Sequence, residues 1–165
     1  MLHPLVQKYR RKGILVDANL LILLLVGRLD PAHLKHCRAT KSRAFTPEDF
    51  SLLRDGVAKF DTLVTTPHIL TEVSNLAGRL TEPLLGQFRA MFREVVKRFS
   101  EQSLASKEIA GDAHFLKFGL TDTAISMIAP GRYLVLSVDL ALCGLLQQRN
   151  VDVINFNNIR YLGWA

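Results

Sequence analysis

The chain has 165 residues, close to the ~150 residues of one ordinary domain, and at that size a single core buries roughly 70% of the unfolded surface. Hydrophobic residues make up 48% and charged residues 22%, which excludes a disordered chain. Twenty-one Lys and Arg against fifteen Asp and Glu leave +6, a balance that favours polyanionic partners without choosing between nucleic acid and a membrane surface.

The first feature is the basic run Lys8-Tyr9-Arg10-Arg11-Lys12. It reads as an N-terminal arm over 1–12 whose Lys8, Arg10, Arg11 and Lys12 either contact phosphates, with Tyr9 interleaved, or are plain solvated surface. Ile14 to Val26 follows, and basic-then-apolar order superficially copies a signal peptide. Asp17 and Asn19 interrupt that stretch, Gly27-Arg28-Leu29-Asp30 offers no small-residue cleavage site, and the span falls short of the ~20 apolar residues a bilayer needs. No membrane partner is expected. With only Cys37 and Cys143, and no zinc-ligand cluster, a reducing cytoplasmic location is the expectation.

Within the apolar stretch, Ile14-Leu15-Val16 predicts a strand buried on both faces, and Asn19 to Leu25 a helix leaving it. Arg28 to Thr46, rich in basic and polar residues, predicts a long loop. Thr46-Pro47-Glu48-Asp49 sets an N-cap, a Pro at the first helical position and acids in the first turn of a helix carrying Phe50, Leu53, Val57 and Phe60. Leu63-Val64-Thr65 predicts a second strand, and Thr66-Pro67 starts a helix through about Leu76. Phe88, Met91, Phe92, Val95, Val96 and Phe99 stripe a helix beginning near Thr81, although Glu94 to Arg98 also suits an edge strand. Thr121-Asp122 opens a helix with Ile125, Ile128 and Ala129. Tyr133 to Ser137 predicts a third strand, Asp139 opens the last helix, and Val151 to Ile154 predicts a fourth strand. Strands alternating with helices argue for an α/β domain around a parallel sheet; a helical bundle is the competing architecture, because the strands are short. No internal repeat or low-complexity linker divides the chain, so 1–165 reads as one domain, ending in a tail over 156–165.

Four acids fall in telling places. Asp17 follows the first strand directly, Asp139 follows the third after one residue, Asp122 stands at a helix start behind Thr121, and Glu72 lies early in the helix after the second strand. Ligands of open parallel sheets bind outside the carboxyl ends of the strands, so all four can converge on one cleft. Clustered anions repel unless protons or cations relieve them, and a hard divalent cation with oxygen ligands is the natural remedy. Such ions activate water and stabilise both oxygens of an in-line phosphoryl displacement. Each acid also has a plainer role: Asp122 and Asp139 as helix caps, Glu72 as a solvated helix residue. Asp17, inside the most apolar segment, is the one for which function is the better reading.

Ile14-Leu15-Val16-Asp17-Ala18-Asn19 resembles the opening motif of the PIN-domain nucleases, an apolar strand ending in Asp with a small polar residue two further on. Thr66 to Glu72 resembles that family's second motif, Gly119 to Ile125 its third, and Leu136 to Leu142 its fourth, in the same order over roughly Gly13 to Asn155. The resemblance implies an α/β/α sandwich with a central parallel sheet, and cleavage of RNA dependent on Mg²⁺ or Mn²⁺. It implies Asp17, Glu72, Asp122 and Asp139 as metal-binding catalytic acids, with Asn19 and Ser137 as supporting polar groups. It further implies RNA as substrate, an antitoxin protein as a partner in those members that are toxins, and a homodimer. Two departures stand out. Some members carry a further acid just after the fourth, where Leu140-Ala141-Leu142 is apolar here, and the Arg28 to Phe60 region is longer than in compact toxins. A catalytically weak RNA-binding or protein-interaction module is therefore the alternative. A metal-dependent phosphatase is a third reading, but it needs an Asp two residues after the first, where Asn19 stands.

Other candidates are thinner. Arg38, Lys41 and Arg43 make a second basic cluster, His33, His36 and Cys37 form a trio without a fourth ligand, and Asp112 and His114 flank the third motif loosely. There is no Gly-rich phosphate loop. Tyr161, Leu162 and Trp164 dock the tail either onto the domain or onto a partner.

Overall fold

A computed structural model of the chain describes residues 3–36 and 45–164. Cys37, the side chain of His36 and the second basic cluster (Arg38, Lys41 and Arg43) lie outside the described residues. The short apolar runs do form strands: β1 (Ile14–Val16), β2 (Leu63–Thr65), β4 (Leu134–Ser137) and β5 (Val153–Asn155), joined by β3 (Ser100–Glu101). All pair in parallel in the order β3-β2-β1-β4-β5, with Leu15 opposite Val64 on one side and Val135 on the other. Parallel strands need crossovers, and these are helical: α2 (Ala18–Leu29), α3 (Pro47–Val57), α4 (Pro67–Ala77), α5 (Leu84–Val96), α6 (Ser106–Ala110), α7 (Phe115–Ile128) and α8 (Leu140–Gln148), with α1 (His3–Tyr9) before the first strand and α9 (Phe156–Leu162) after the last. The result is the expected three-layer α/β/α sandwich, not the helical bundle.

The apolar stretch after Asp17 is explained by position. Every residue of α2 from Leu20 to Gly27 is buried, because α2 packs against α3, α4, α5 and the 3-10 turn Pro31–His36. A helix apolar on all sides is a core helix or a membrane span. At twelve residues α2 is about 18 Å long, well under the ~30 Å hydrocarbon core of a bilayer. No helix among the described residues is long and apolar enough to cross a membrane. One contiguous core runs through α2 and the sheet, from Tyr9 to Ile159.

Four expectations need correction. Residues 3–12 of the expected arm are not free: residues His3–Tyr9 are helical, Tyr9 is buried, and Leu5 and Val6 pack on the core. Lys8 reaches Asp152 at 2.7 Å, Arg10 reaches Asp61 at 3.7 Å, and Lys12 donates to the Gly131 carbonyl at 3.0 Å. Asp61, Gly131 and Asp152 precede β2, β4 and β5, so this basic cluster closes the amino edge of the parallel sheet, opposite the edge where Asp17 and Asp139 emerge. The Arg28–Thr46 connection is only partly loop, since α2 continues to Leu29 and a 3-10 turn follows. Glu94 is helical within α5, and the edge strand lies later, at Ser100–Glu101. The fourth strand sits slightly later than predicted, at Val153–Asn155.

The 156–165 tail docks on its own domain. Thr46 and Asp49 close a capping box at the start of α3, and the buried Asp49 carboxylate also receives two bonds of 2.8 Å from the Arg160 guanidinium. Trp164 donates its indole N–H to the Leu52 carbonyl at 2.7 Å and lies flush on Gly56, where a methyl group would overlap the ring. Asp112, between α6 and α7, takes two short bonds of 2.5 and 2.6 Å from Arg149 at the end of α8. That guanidinium, helped by the His114 backbone N–H, holds the Asp112 carboxyl well below the usual carboxylate range, and Lys8 and then Tyr9 lower Asp152 likewise.

Gly56→Ala is expected to cost about 1–3 kcal/mol by overpacking and to shift the emission of the single tryptophan to the red. An unchanged denaturation midpoint and spectrum would refute the docked tail. Because Asp112 and Asp152 are depressed when folded, their stabilisation holds above the unfolded carboxylate pKa of ~3.9 and is lost as pH falls below it. Arg149→Gln should therefore destabilise the wild-type fold near neutral pH and progressively less in acid, as read from urea midpoints across a pH series.

Candidate functional site

The sheet has one point where chain order reverses. From β1 the chain adds β2 and β3 toward one edge, then returns to place β4 and β5 on the other side of β1. Crossovers leave in opposite directions there, which opens a crevice at the carboxyl ends of β1 and β4. Asp17 and Asp139 sit at those two ends.

Asp17 is the N-cap of α2, its Oδ1 accepting from the Leu20 N–H at 2.8 Å. Its Oδ2 accepts from the Ser137 hydroxyl and from the Val138 N–H at 3.1 Å, so the carboxylate spans the gap between β1 and β4. Only 5% of the residue is exposed. Burial pushes its carboxyl pKa up, the bonds from Ser137, Leu20 and Val138 pull it down, and the charge of Asp139 adds to the upward push. Asp139 caps α8, its Oδ1 accepting from Ala141 at 2.7 Å and Leu142 at 3.1 Å, while its own N–H donates to Ser137 Oγ at 3.0 Å. One hydroxyl thus links both acids, which makes Ser137 a supporting group behind the cleft.

The opposite wall comes from α4 and α7. Glu72 is exposed on α4 and accepts at Oε1 from the Thr121 hydroxyl at 2.6 Å. The stretch Phe115–Ile128 is two helices that meet at a kink at Gly119, whose φ of 73° glycine adopts freely, so a helix does open close to Thr121-Asp122 as predicted, while the Thr121 hydroxyl donates to Glu72. Asp122 follows Thr121, half-buried. Asp17, Glu72, Asp122 and Asp139 all line a single cleft of about 430 Å³, together with Asn19 and Phe118. Among the described residues its lining includes no Lys, Arg or His.

Cys143 is buried on α8, and desolvation, with the nearby charges of Asp17 and Asp139, raises its thiol to about 11; it is a packing residue and not a nucleophile. Asp112 and His114 serve the Arg149 contact and not a second site. What sequence reasoning missed is the Glu72–Thr121 bond and the place of Phe118 in the cleft wall; the left-handed Gly119 between them is the signal a Gly inside a helical pattern offers. Neither a family model, a curated protein nor a solved structure matches the chain.

Ser137→Ala removes a buried bond to a charged acceptor, an expected loss of about 1.5–3 kcal/mol near neutral pH. Because that bond favours the ionised form of Asp17, the loss should shrink as acid protonates the carboxylate. Urea unfolding at several pH values checks this, and a pH-independent penalty would contradict it.

Proposed function

We propose that the protein is a Mg²⁺- or Mn²⁺-dependent endoribonuclease that hydrolyses RNA phosphodiester bonds in the cleft between β1 and β4. The observation that carries this reading is the meeting of four carboxylates, from four separate segments of the chain, on one cleft with no cationic side chain among the described residues that line it. Such an arrangement is costly unless a cation compensates it. The donor set fits a hard divalent ion, being oxygen throughout. Among the described residues, Oδ2 of Asp139 and Oε2 of Glu72 accept no hydrogen bond, so each keeps an oxygen to offer. No three His, Cys, Asp or Glu side chains among the described residues stand close enough to hold one ion together. Mg²⁺ needs only one or two carboxylates and fills its shell with water and phosphate oxygens.

In this mechanism Asp17, Glu72, Asp122 and Asp139 would share the holding of Mg²⁺ or Mn²⁺, no more than two of them on any one ion, and the metal when bound would supply Lewis-acid stabilisation of charge on the phosphoryl oxygens and acidify a water. Asp17 and Asp139 are fixed by backbone N–H groups, so their side chains lose little freedom on loading. Asn19, half-buried at the cleft, offers an amide donor and acceptor to orient a water or phosphate oxygen. Phe118 gives a base a ring face on which to stack, an interaction tolerant of sequence. On the strength of the PIN-domain resemblance we also propose a homodimer and an antitoxin-type protein partner.

A second reading, a catalytically weak RNA-binding or protein-interaction module, is favoured by one observation. Leu140, next to Asp139, is 71% exposed where some PIN-domain nucleases place another acid.

Incubation of single-stranded RNA with the protein and Mg²⁺ or Mn²⁺ tests the two. Cleavage is expected, abolished by EDTA and reduced by more than about a hundred-fold in Asp17→Asn or Asp139→Asn, since even an outer-shell change costs up to that factor. Metal at a hundred times its Kd should also stabilise the wild type by about 2.7 kcal/mol, with the gain largely lost in Asp17→Asn. Cleavage that survives chelation would reject the metal mechanism, and binding without cleavage would favour the module.

A further inference from the structure

The cleft of acids does not stand alone. A second hollow of about 250 Å³ lies along α4, lined by Glu72, Asn75, Leu76 and Arg79. Glu72 is common to both, so the two are continuous at that side chain. The spacing of these residues is three, four and seven from Glu72, the pattern of one helix face. Leu76 is buried and forms the floor, while Glu72, Asn75 and Arg79 are exposed along it.

Charge changes sign along this path. Among the described residues the lining of the first cavity holds four acids and no cation; that of the second holds Arg79. Among the described residues the Arg79 side chain makes no hydrogen bond or ion pair, in contrast to Arg10, Arg54, Arg149 and Arg160, each of which meets an Asp. Its backbone is nevertheless pinned: the Arg79 N–H donates to the Leu76 carbonyl at 3.1 Å, and the next residue, Leu80, is buried with its N–H on the Ala77 carbonyl at 2.9 Å. An uncommitted guanidinium on a fixed turn is suited to a phosphate, which it can grip with two parallel bonds.

We infer that single-stranded RNA leaves the acid cleft along α4, with Arg79 binding a phosphate that neighbours the scissile one and Asn75 facing the nucleotide between them. This deepens the nuclease reading and rests on it. The helix from Glu72 to its end at Ala77 alone rises about 7.5 Å, and Arg79 stands on the turn beyond it, so the phosphate at Arg79 is a different one from that at the acids. The basic cluster at the amino edge of the sheet is committed to Asp152, Asp61 and the Gly131 carbonyl. Arg79 therefore takes the phosphate-positioning role that the sequence suggested for Lys8 to Lys12.

The test compares wild type, Arg79→Ala, Arg79→Lys and, as a charge-matched change at the amino edge, Lys59→Ala. With an unstructured RNA of several nucleotides, Arg79→Ala should raise KM roughly five- to ten-fold with a much smaller change in kcat, and the penalty should shrink for a dinucleotide. Lysine should restore part of the loss. Binding of the same RNA to these variants on an Asp17→Asn background should show a salt slope lower by about one counterion for Arg79→Ala and not for Lys59→Ala. If wild type cleaves RNA and Arg79→Ala matches wild type or Lys59→Ala, the α4 path is wrong and the nuclease reading stands. If wild type with metal cleaves nothing but Arg79→Ala still weakens binding, the path stands and the nuclease reading falls. Absence of both cleavage and binding overturns both.

Discussion

The hydrogen bond from Ser137 to Asp17 joins the end of β4 to the end of β1, and the geometry of the cleft follows from it. The Ser137 hydroxyl donates to the Asp17 carboxylate while accepting from the Asp139 N–H, so the two acids are held by one atom. Each acid also starts a helix, α2 from Asp17 and α8 from Asp139. The carboxylates are thus structural caps whose remaining capacity faces a cleft. Two helix N-termini aimed at that point supply partial positive charge, which offsets some of the repulsion of paired acids.

Charge is divided between the two edges of the sheet. At the amino edge Lys8, Arg10 and Lys12 neutralise Asp152, Asp61 and a loop carbonyl, work that is structural in character. At the carboxyl edge acids gather without a basic partner in the lining. The +6 of the whole chain therefore describes neither edge. The overall field is positive, whereas the wall of the candidate site is locally negative among the described residues.

The sequence made the sheet legible because its strands are buried on both faces. Ile14-Leu15-Val16 and Leu134-Val135-Leu136 are unbroken apolar runs, and Thr46-Pro47 and Thr66-Pro67 mark helix starts through the chemistry of the cap itself. Asp17 stood out for a related reason, as a carboxylate in an interior of leucines. What stayed hidden was short or depended on distant partners. Ser100–Glu101 is too brief to carry a pattern, and it exists because β2 offers it a ladder. The helix of His3–Tyr9 was masked by the charges around it, since its ties to Asp61 and Asp152 lie far along the chain. The Thr121 hydroxyl looked like a cap because its acceptor, Glu72, is 49 residues away.

The two ends of the sheet bear on how the protein can assemble. β3 is two residues long and carries the exposed Glu101, and β5 at the other edge is three. Short, charged edges present few unpaired backbone groups, so neither rim is a template on which another chain can extend the ladder. A neighbouring molecule meets side chains instead: among the described residues Leu116, Leu140, Tyr161 and Leu162 are the large apolar groups left in solvent, on α7, α8 and α9. Association is thereby routed to helix faces, where shape and charge decide the partner, and away from the indiscriminate backbone pairing that leads to fibres.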